Sequence, residues 1–548
     1  MTVPALPAAP GYRPFSGPVV TIIMDGIGIG PGDASDGVHV SHTPVLDRLL
    51  EEPLQFRLKA HGKAVGLPSD GDMGNSEVGH NALGAGRIFA QGAQLVNEAI
   101  RSGSIFASAA WQELRARASK GATLHFIGLL SDGNVHSHVT HLDALLERCA
   151  AEGVARVRVH VLLDGRDVDQ KSALRYVEPL EERLAELSAS GRDYRIASGG
   201  GRMVTTMDRY NANWAVVENG WKAHVRGEGR PFASALEAVR TYYQEDETLT
   251  DQYMPSFVVV GEAGPVGPIV DGDGVVFFNF RGDRAIEISR AFEEEDFAEF
   301  PRGPRPQVFY AGMMQYDGDA LIPKNYLVEP PAIERTLGAY LCASGITSYA
   351  VSETQKFGHV TYFWNGNRSG YLDPALETYE EVPSDKIRFD LRPWMKAGEI
   401  TDRVIDAIAS GRYRFIRANL ANGDMVGHTG VEAAIRIAVE TVDLCLGRIL
   451  EAVAAAGGIA VITADHGNAD CMWTEKKGKV APMVAHTLNP VPFIVKDYSG
   501  ANTFAATAVA GPGLANVAAT LCLLLGLTPP ADYEPALLRL ADGQGEGR

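Results

Sequence analysis

The chain has 548 residues, a formal net charge of −18, 45% hydrophobic residues and 22% charged residues. That balance fits a soluble globular protein with room for about two or three domains. It argues against non-specific nucleic-acid binding, and any site for an anionic substrate must gather Arg and Lys locally.

The opening MTVPALPAAPGYRPFSGP lacks a basic segment followed by a continuous apolar run. It reads as a short disordered lead-in and not as an export signal. The first strand is Val19–Met24, a continuous apolar run of the kind buried on both faces of a parallel sheet. It ends in Asp25, followed by GIGIGPG. The glycines alternate and do not follow G-x-G-x-x-G, so a dinucleotide site is set aside. A carboxylate at the end of such a strand lies where open sheets place their ligands, which makes Asp25 a candidate metal ligand.

The stretch GDMGNSEVGHNALGAGR, 71–87, carries Ser76 among small residues. A free serine hydroxyl is a poor nucleophile and needs a base or a metal. No G-x-S-x-G elbow surrounds it, so metal activation is the option to pursue, against the plainer reading of a serine capping a helix. Next comes the strand-like Thr123–Leu130, leading into SDGNVHSHVTHL with His136, His138 and His141. No carboxylate or cysteine stands at a matching interval, so one ligand-contacting histidine and two structural ones are expected, and not a zinc cluster.

The strand-like Val157–Leu163 ends in DGRDVD, with Arg166 beside Asp167. ASGGGRMVTTMDRYNANW places Arg202 and Arg209 after a glycine-rich turn, and VVFFNF ends in RGDRA, with Arg281 and Arg284. Guanidinium forks bind phosphate and carboxylate bidentately, so this middle segment reads as a basic cup for a small polyanion. The acidic 293–297 and the proline-rich 300–307 read as a surface element and a linker.

Beyond them SETQKFGHVT carries Lys356 and His359, and NGDMVGHTG carries Asp424 and His428 at an i,i+4 spacing. The apolar IAVIT, 459–463, precedes Asp465 and His466, and AHTLNPVPFI supplies His486. The apolar run at 513–527 is too short to span a bilayer and predicts a buried helix. Five scattered cysteines without a C-x-x-C pair suit a reducing cytosol and suggest no disulfide framework. Asp25, Ser76, Asp424, His428, Asp465, His466 and His486 together offer oxygen and nitrogen donors enough for two divalent ions. Two such ions clamp a phosphoryl group and lower the pKa of a serine hydroxyl.

MDGIGIG, GNSEVGHNALGAGR, SDGNVHSH, LLDGRDV, FFNFRGDRA, SETQKFGHVT, NGDMVGHTG, TADHGNAD and AHTLNPVPFI, in that order, resemble the cofactor-independent phosphoglycerate mutases of the alkaline phosphatase superfamily. The resemblance implies an α/β fold. An alkaline-phosphatase-like domain with a mainly parallel sheet flanked by helices is expected over 1–90 and 321–548, and an inserted α/β transferase domain over 91–320. It implies that Asp424, His428 and His486 bind one manganese and that Asp25, Ser76, Asp465 and His466 bind the other, with Mg²⁺, Co²⁺ or Zn²⁺ as alternative ions. His136, Arg166, Asp167, Arg202, Arg209, Arg281, Arg284 and Lys356 would hold the phosphoglycerate.

The implied reaction interconverts 3-phosphoglycerate and 2-phosphoglycerate without 2,3-bisphosphoglycerate, in a cytoplasmic monomer with no membrane or nucleic-acid partner. Ser76 would be the nucleophile, with Asp167 moving the glycerate proton and Lys356 offsetting charge. A metal-dependent phosphohydrolase or phosphopentomutase is the alternative. GRMVTTMDR separates its arginines by seven positions where many bacterial members have six, and the length resembles the plant and kinetoplastid variety.

Overall fold

The computed structural model describes residues 3–67, 69–189, 191–208, 213–282, 284–316, 321–329, 331, 333–476, 479–484 and 486–541. The chain forms two compact units, Met1–Gln91 with Pro331–Arg548, and Gly92–Pro330.

The first unit is built on a 7-stranded sheet. From edge to edge its strands are Glu377–Val382, Ser348–Glu353, Phe415–Leu420, Val19–Met24, Ile459–Thr463, Val491–Asp497 and Gln55–Leu58. The first five run parallel, Val491–Asp497 runs antiparallel to both its neighbours, and Gln55–Leu58 returns to the direction of the five. Val19–Met24 is central and buried along its whole length, as a strand covered on both faces must be. Its neighbours are in register so that Met24 pairs with Leu420 and Ile23 with Thr463. The residues that follow these three strands therefore emerge together at their C-terminal ends, in the middle of the sheet. The apolar run near the C-terminus forms the helix Asn516–Leu524, buried throughout.

Over its described residues the lead-in is ordered. Ala8 bridges Leu527, the Ala9 N–H donates to the Gly526 carbonyl at 2.8 Å, and the Tyr12 hydroxyl donates to the Leu524 carbonyl at 2.7 Å. The end of the buried helix has carbonyls without helical partners, and the lead-in supplies their donors.

The second unit carries an 8-stranded sheet with its own core. Its strands, in spatial order, are Phe309–Gly312, Gly274–Phe277, Leu124–Leu130, Arg156–Leu163, Asp193–Gly201, Phe257–Gly261 and Arg230–Phe232, with Gly264–Pro265 paired beside them. The proline-rich segment is packed inside this unit and is not a linker. Arg302 donates to the Ala291 and Glu295 carbonyls at 2.7 and 2.9 Å, and Arg305 donates to the Phe292 carbonyl at 2.8 Å. These are open carbonyls at the end of the helix Ile286–Glu293, and the chain then re-enters the same sheet at Phe309. The five cysteines are free thiols. Among the described residues no helix is long and apolar enough to cross a membrane.

Candidate metal and catalytic site

In the first unit the C-terminal ends of the central strands gather what the sequence scatters. Asp25 follows the central strand, Asp424 lies in the helix Asn422–Gly427 after Phe415–Leu420, and Asp465 and His466 follow Ile459–Thr463. The Asp424 N–H donates to the Asp25 carbonyl at 3.0 Å, which locks the two loops together. Ser76 opens the helix Ser76–Ala85, and Asn75 caps it by accepting from the Val78 N–H at 3.0 Å. The capping task thus falls to Asn75. The buried Ser76 hydroxyl is left to face the cluster at a helix N-terminus, where partial positive charge favours an anionic oxygen. Gly79 lets this helix press on the Asp465 loop, since a Cβ there would stand 2.7 Å from the Asp465 carbonyl oxygen.

Ser76 Oγ lies 2.9 Å from His466 Nε2 and 3.4 Å from Asp25 Oδ1. The buried Lys356 ammonium donates to Ser76 Oγ, to Asp424 Oδ2 at 2.8 Å, and pairs with Asp25 Oδ1 at 3.1 Å. Burial alone would lower Lys356, but Asp25, then Asp424 and Asp465, reverse this and hold it above its ordinary value. Burial and the neighbouring Asp465 push Asp25 up to about 6. His486 moves the other way, to about 3, through burial and the nearby His466.

The donor set fits divalent metal. His428 Nδ1 donates to the Val484 carbonyl and His486 Nδ1 to the Gly74 carbonyl, each at 2.7 Å. In neutral imidazoles both Nε2 atoms then present lone pairs. They lie 3.1 Å apart, and each is 3.1 Å from Asp424 Oδ1. Asp424, His428 and His486 thus converge closely enough to hold a cation, and a second-nitrogen bond to a carbonyl is how metal-binding histidines are oriented. Asp25, Asp424 and His466 form a second convergent group, and Asp25, His80 and Asp465 a third.

The sequence reading passed over several members of this site. His80 lies 2.8 Å from the Ser76 carbonyl oxygen and 3.3 Å from Asp465 Oδ2. Asn419 donates to Asp25 Oδ2 at 2.7 Å and Asn468 to Asp424 Oδ1 at 3.0 Å. The i,i+4 spacing of Ser76 and His80 on one helix was the one available signal.

In the second unit the Phe280 and Arg281 N–H groups both donate to the buried His136 carbonyl, at 2.8 and 3.4 Å. Asp164, another residue passed over, is the hub of the next loop. Its Oδ1 accepts from the backbone of Arg166 and Asp167 at 3.3 and 3.0 Å and from Arg202 Nη1 at 2.7 Å. Its Oδ2 accepts from Ser131 Oγ at 2.6 Å. Arg202 Nη1 also donates to Asp167. Arg202 is thus buried between two carboxylates, while Arg166 is exposed. Arg284 is buried and donates to the Met207 carbonyl at 2.6 Å. Arg209 lies outside the described residues. His138 caps the helix Val139–Ala151 and His141 bonds Asn97 at 2.8 Å, which are structural tasks.

A donor set on the loops that follow the central strands of a mainly parallel sheet is the mark of a metalloenzyme, and a model of the Metalloenzyme superfamily matches residues 17–529. A Trypanosoma brucei brucei protein named 2,3-bisphosphoglycerate-independent phosphoglycerate mutase is 53% identical over 536 residues, covering 95% of this chain and 97% of that one. A Zea mays protein of the same name is 50% identical over 541 residues, 96% of each chain. A solved Leishmania mexicana phosphoglycerate mutase, studied at low cobalt concentration, superposes with a TM-score of 0.80 at 49% identity, covering 98% of this chain and 100% of that chain. The chain belongs to the family of 2,3-bisphosphoglycerate-independent phosphoglycerate mutases.

Proposed function

We propose that the protein interconverts 3-phosphoglycerate and 2-phosphoglycerate through a phosphoserine at Ser76. The observation that carries this reading is the buried Ser76 hydroxyl, bonded to Lys356 and 2.9 Å from His466, beside three converging metal-type donors. Asp424, His428 and His486 would hold one divalent ion, and Asp25, Asp465 and His466 with Ser76 the other. We take these as Mn²⁺. When bound, such ions supply Lewis-acid polarisation of a phosphoryl oxygen and lower the pKa of a hydroxyl.

Ser76 Oγ attacks phosphorus in line. A P–O bond to serine forms, the bond to the glycerate oxygen breaks, and that oxygen takes a proton. The other glycerate hydroxyl then gives up its proton, attacks the phosphoserine and frees Ser76. Lys356 offsets charge on the transferring oxygens, and the helix N-terminus favours the anionic serine. His136, Arg166, Arg202, Arg209, Arg281 and Arg284 would hold the glycerate and its carboxylate. Asp167, paired with Arg202, would move the proton between the hydroxyls. The first unit is accordingly read as the phosphoryl-transfer domain and the second as the substrate-holding domain. The enzyme is read as a cytoplasmic monomer that needs no added 2,3-bisphosphoglycerate.

A coupled assay with Mn²⁺ and 3-phosphoglycerate, without bisphosphoglycerate, tests the reading. Formation of 2-phosphoglycerate is expected. Release of inorganic phosphate in its place would favour a phosphohydrolase.

A further inference from the structure

Three histidines in the second unit take no part in the chemistry above, yet are fully buried and joined end to end. His125 Nε2 lies 3.1 Å from Asp273 Oδ2, and its Nδ1 lies 3.0 Å from His160 Nε2. His160 Nδ1 lies 2.7 Å from Ser198 Oγ, which lies 2.7 Å from His224 Nδ1. His224 Nε2 ends the series 2.9 Å from Thr206 Oγ1.

Asp273 fixes the direction of every bond. Its carboxylate can only accept, so His125 donates from Nε2 and, being neutral, accepts at Nδ1. His160 must then donate from Nε2 and accept at Nδ1, which makes Ser198 its donor. The remaining Ser198 lone pairs accept from His224 Nδ1–H, and His224 Nε2 accepts the Thr206 hydroxyl proton. Burial lowers all three imidazoles and keeps them in the neutral forms this polarity requires.

The far end of the series holds an unusual turn. Thr206 has φ +71, a left-handed conformation that a β-branched residue seldom adopts and that persists only when its surroundings enforce it. The helix Trp214–His224 provides the socket. The Thr206 N–H donates to the Val216 carbonyl at 2.7 Å, and a Cβ on Gly220 would stand 2.0 Å from Thr206 Oγ1, so only glycine admits the hydroxyl. The next residue, Met207, offers the carbonyl to which Arg284 donates at 2.6 Å.

We propose that Thr206 and His224 are positioning residues, and that the one-way chain from Asp273 holds the left-handed turn whose Met207 carbonyl seats Arg284 for substrate binding. This rests on the reading of Arg284 as a phosphoglycerate-binding residue. Removing the hydroxyl leaves His224 Nε2 without its donor in a buried place and frees the turn to relax, so Arg284 loses its seat.

The test uses the full chain with 3-phosphoglycerate as the probe. Thr206→Val should raise KM about tenfold with kcat changed less than about threefold, the effect of one lost buried hydrogen bond expressed in ground-state binding. Thr206→Ser, which keeps the hydroxyl, should restore KM to within about twofold of the parent. Histidine ¹⁵N spectra of the parent should show His224 protonated on Nδ1, and His125 and His160 on Nε2.

Equal impairment of the valine and serine variants would overturn the proposal. So would an unchanged KM in the valine variant while Arg284→Ala raises it, or His224 protonated on Nε2, a readout that needs no variant to fold. An Arg284→Ala enzyme with unchanged KM would instead remove the underlying reading of the arginine, and the positioning role with it.

Discussion

Acidification should unfold the second unit through its buried imidazoles, by an amount the structure sets. His224 is lowered to about 3 by burial and His125, and His160 is held well below its usual value by burial, His224, His125 and Arg158. His125 is lowered by burial, with Asp273 partly offsetting it. In the unfolded chain each would titrate near about 6.5. Below that pH the unfolded state binds more protons than the folded state, so stability falls as pH falls and is fully present above it. At pH 4.5 an imidazole still neutral in the folded state costs about 2.7 kcal/mol. His224, neutral there, thus costs about 2.7 kcal/mol against the roughly 5–15 kcal/mol that stabilise a typical domain, and His160 acts in the same direction. Methionine-oxidation denaturation curves in urea, read at the buried Met254 and Met313, report this unit directly. Carboxylates also titrate here, so the decisive quantity is a difference. His224→Asn should shrink the loss between pH 7 and 4.5 by about 2.7 kcal/mol, whatever it does to stability at pH 7. If the parent and the variant lose the same amount, the buried imidazoles do not carry the acid sensitivity.

Other outcomes follow from the first unit. Lys356→Met removes a buried ammonium bonded to Ser76, Asp25 and Asp424, and kcat should fall by roughly 100-fold or more; a loss under tenfold would contradict its charge-offsetting role. Chelation should lower the unfolding temperature reported by Met24 and Met472, and Mn²⁺ at a hundredfold excess over Kd should restore about 2.7 kcal/mol. No change on chelation would argue that the converging lone pairs hold no metal. Gly79→Ala drives a methyl toward the Asp465 carbonyl and should weaken Mn²⁺ binding in titration calorimetry; unchanged affinity would show that the helix can shift freely.

The candidate metal donors were legible because local pattern carried them. Apolar runs stopped at Asp25 and at Asp465–His466, and the Asp424–His428 spacing is that of one helical turn. Their supports were not legible. Asn419 lies within a buried strand and Asn468 in a loop, and each is defined by a carboxylate remote in sequence. His125 and His160 interrupt apolar strands and look like isolated polar residues until the sheet pairs those strands, His125 opposite Arg158 and His160 opposite Ile127, and brings the two rings within 3.0 Å. Composition misread the lead-in and the proline-rich segment for one reason. Both look like loops, but each supplies donors to carbonyls at a helix end, and such service leaves no periodic trace.

The phosphoserine is the central claim, and trapping it is the most direct test. The Mn²⁺-loaded enzyme is mixed with 3-phosphoglycerate, quenched in acid within the turnover time, and mapped by peptide mass spectrometry. Phosphate on Ser76, and on no other residue, is the expected result. Phosphate on a histidine or another serine, or a Ser76→Ala enzyme that still isomerises, would contradict it.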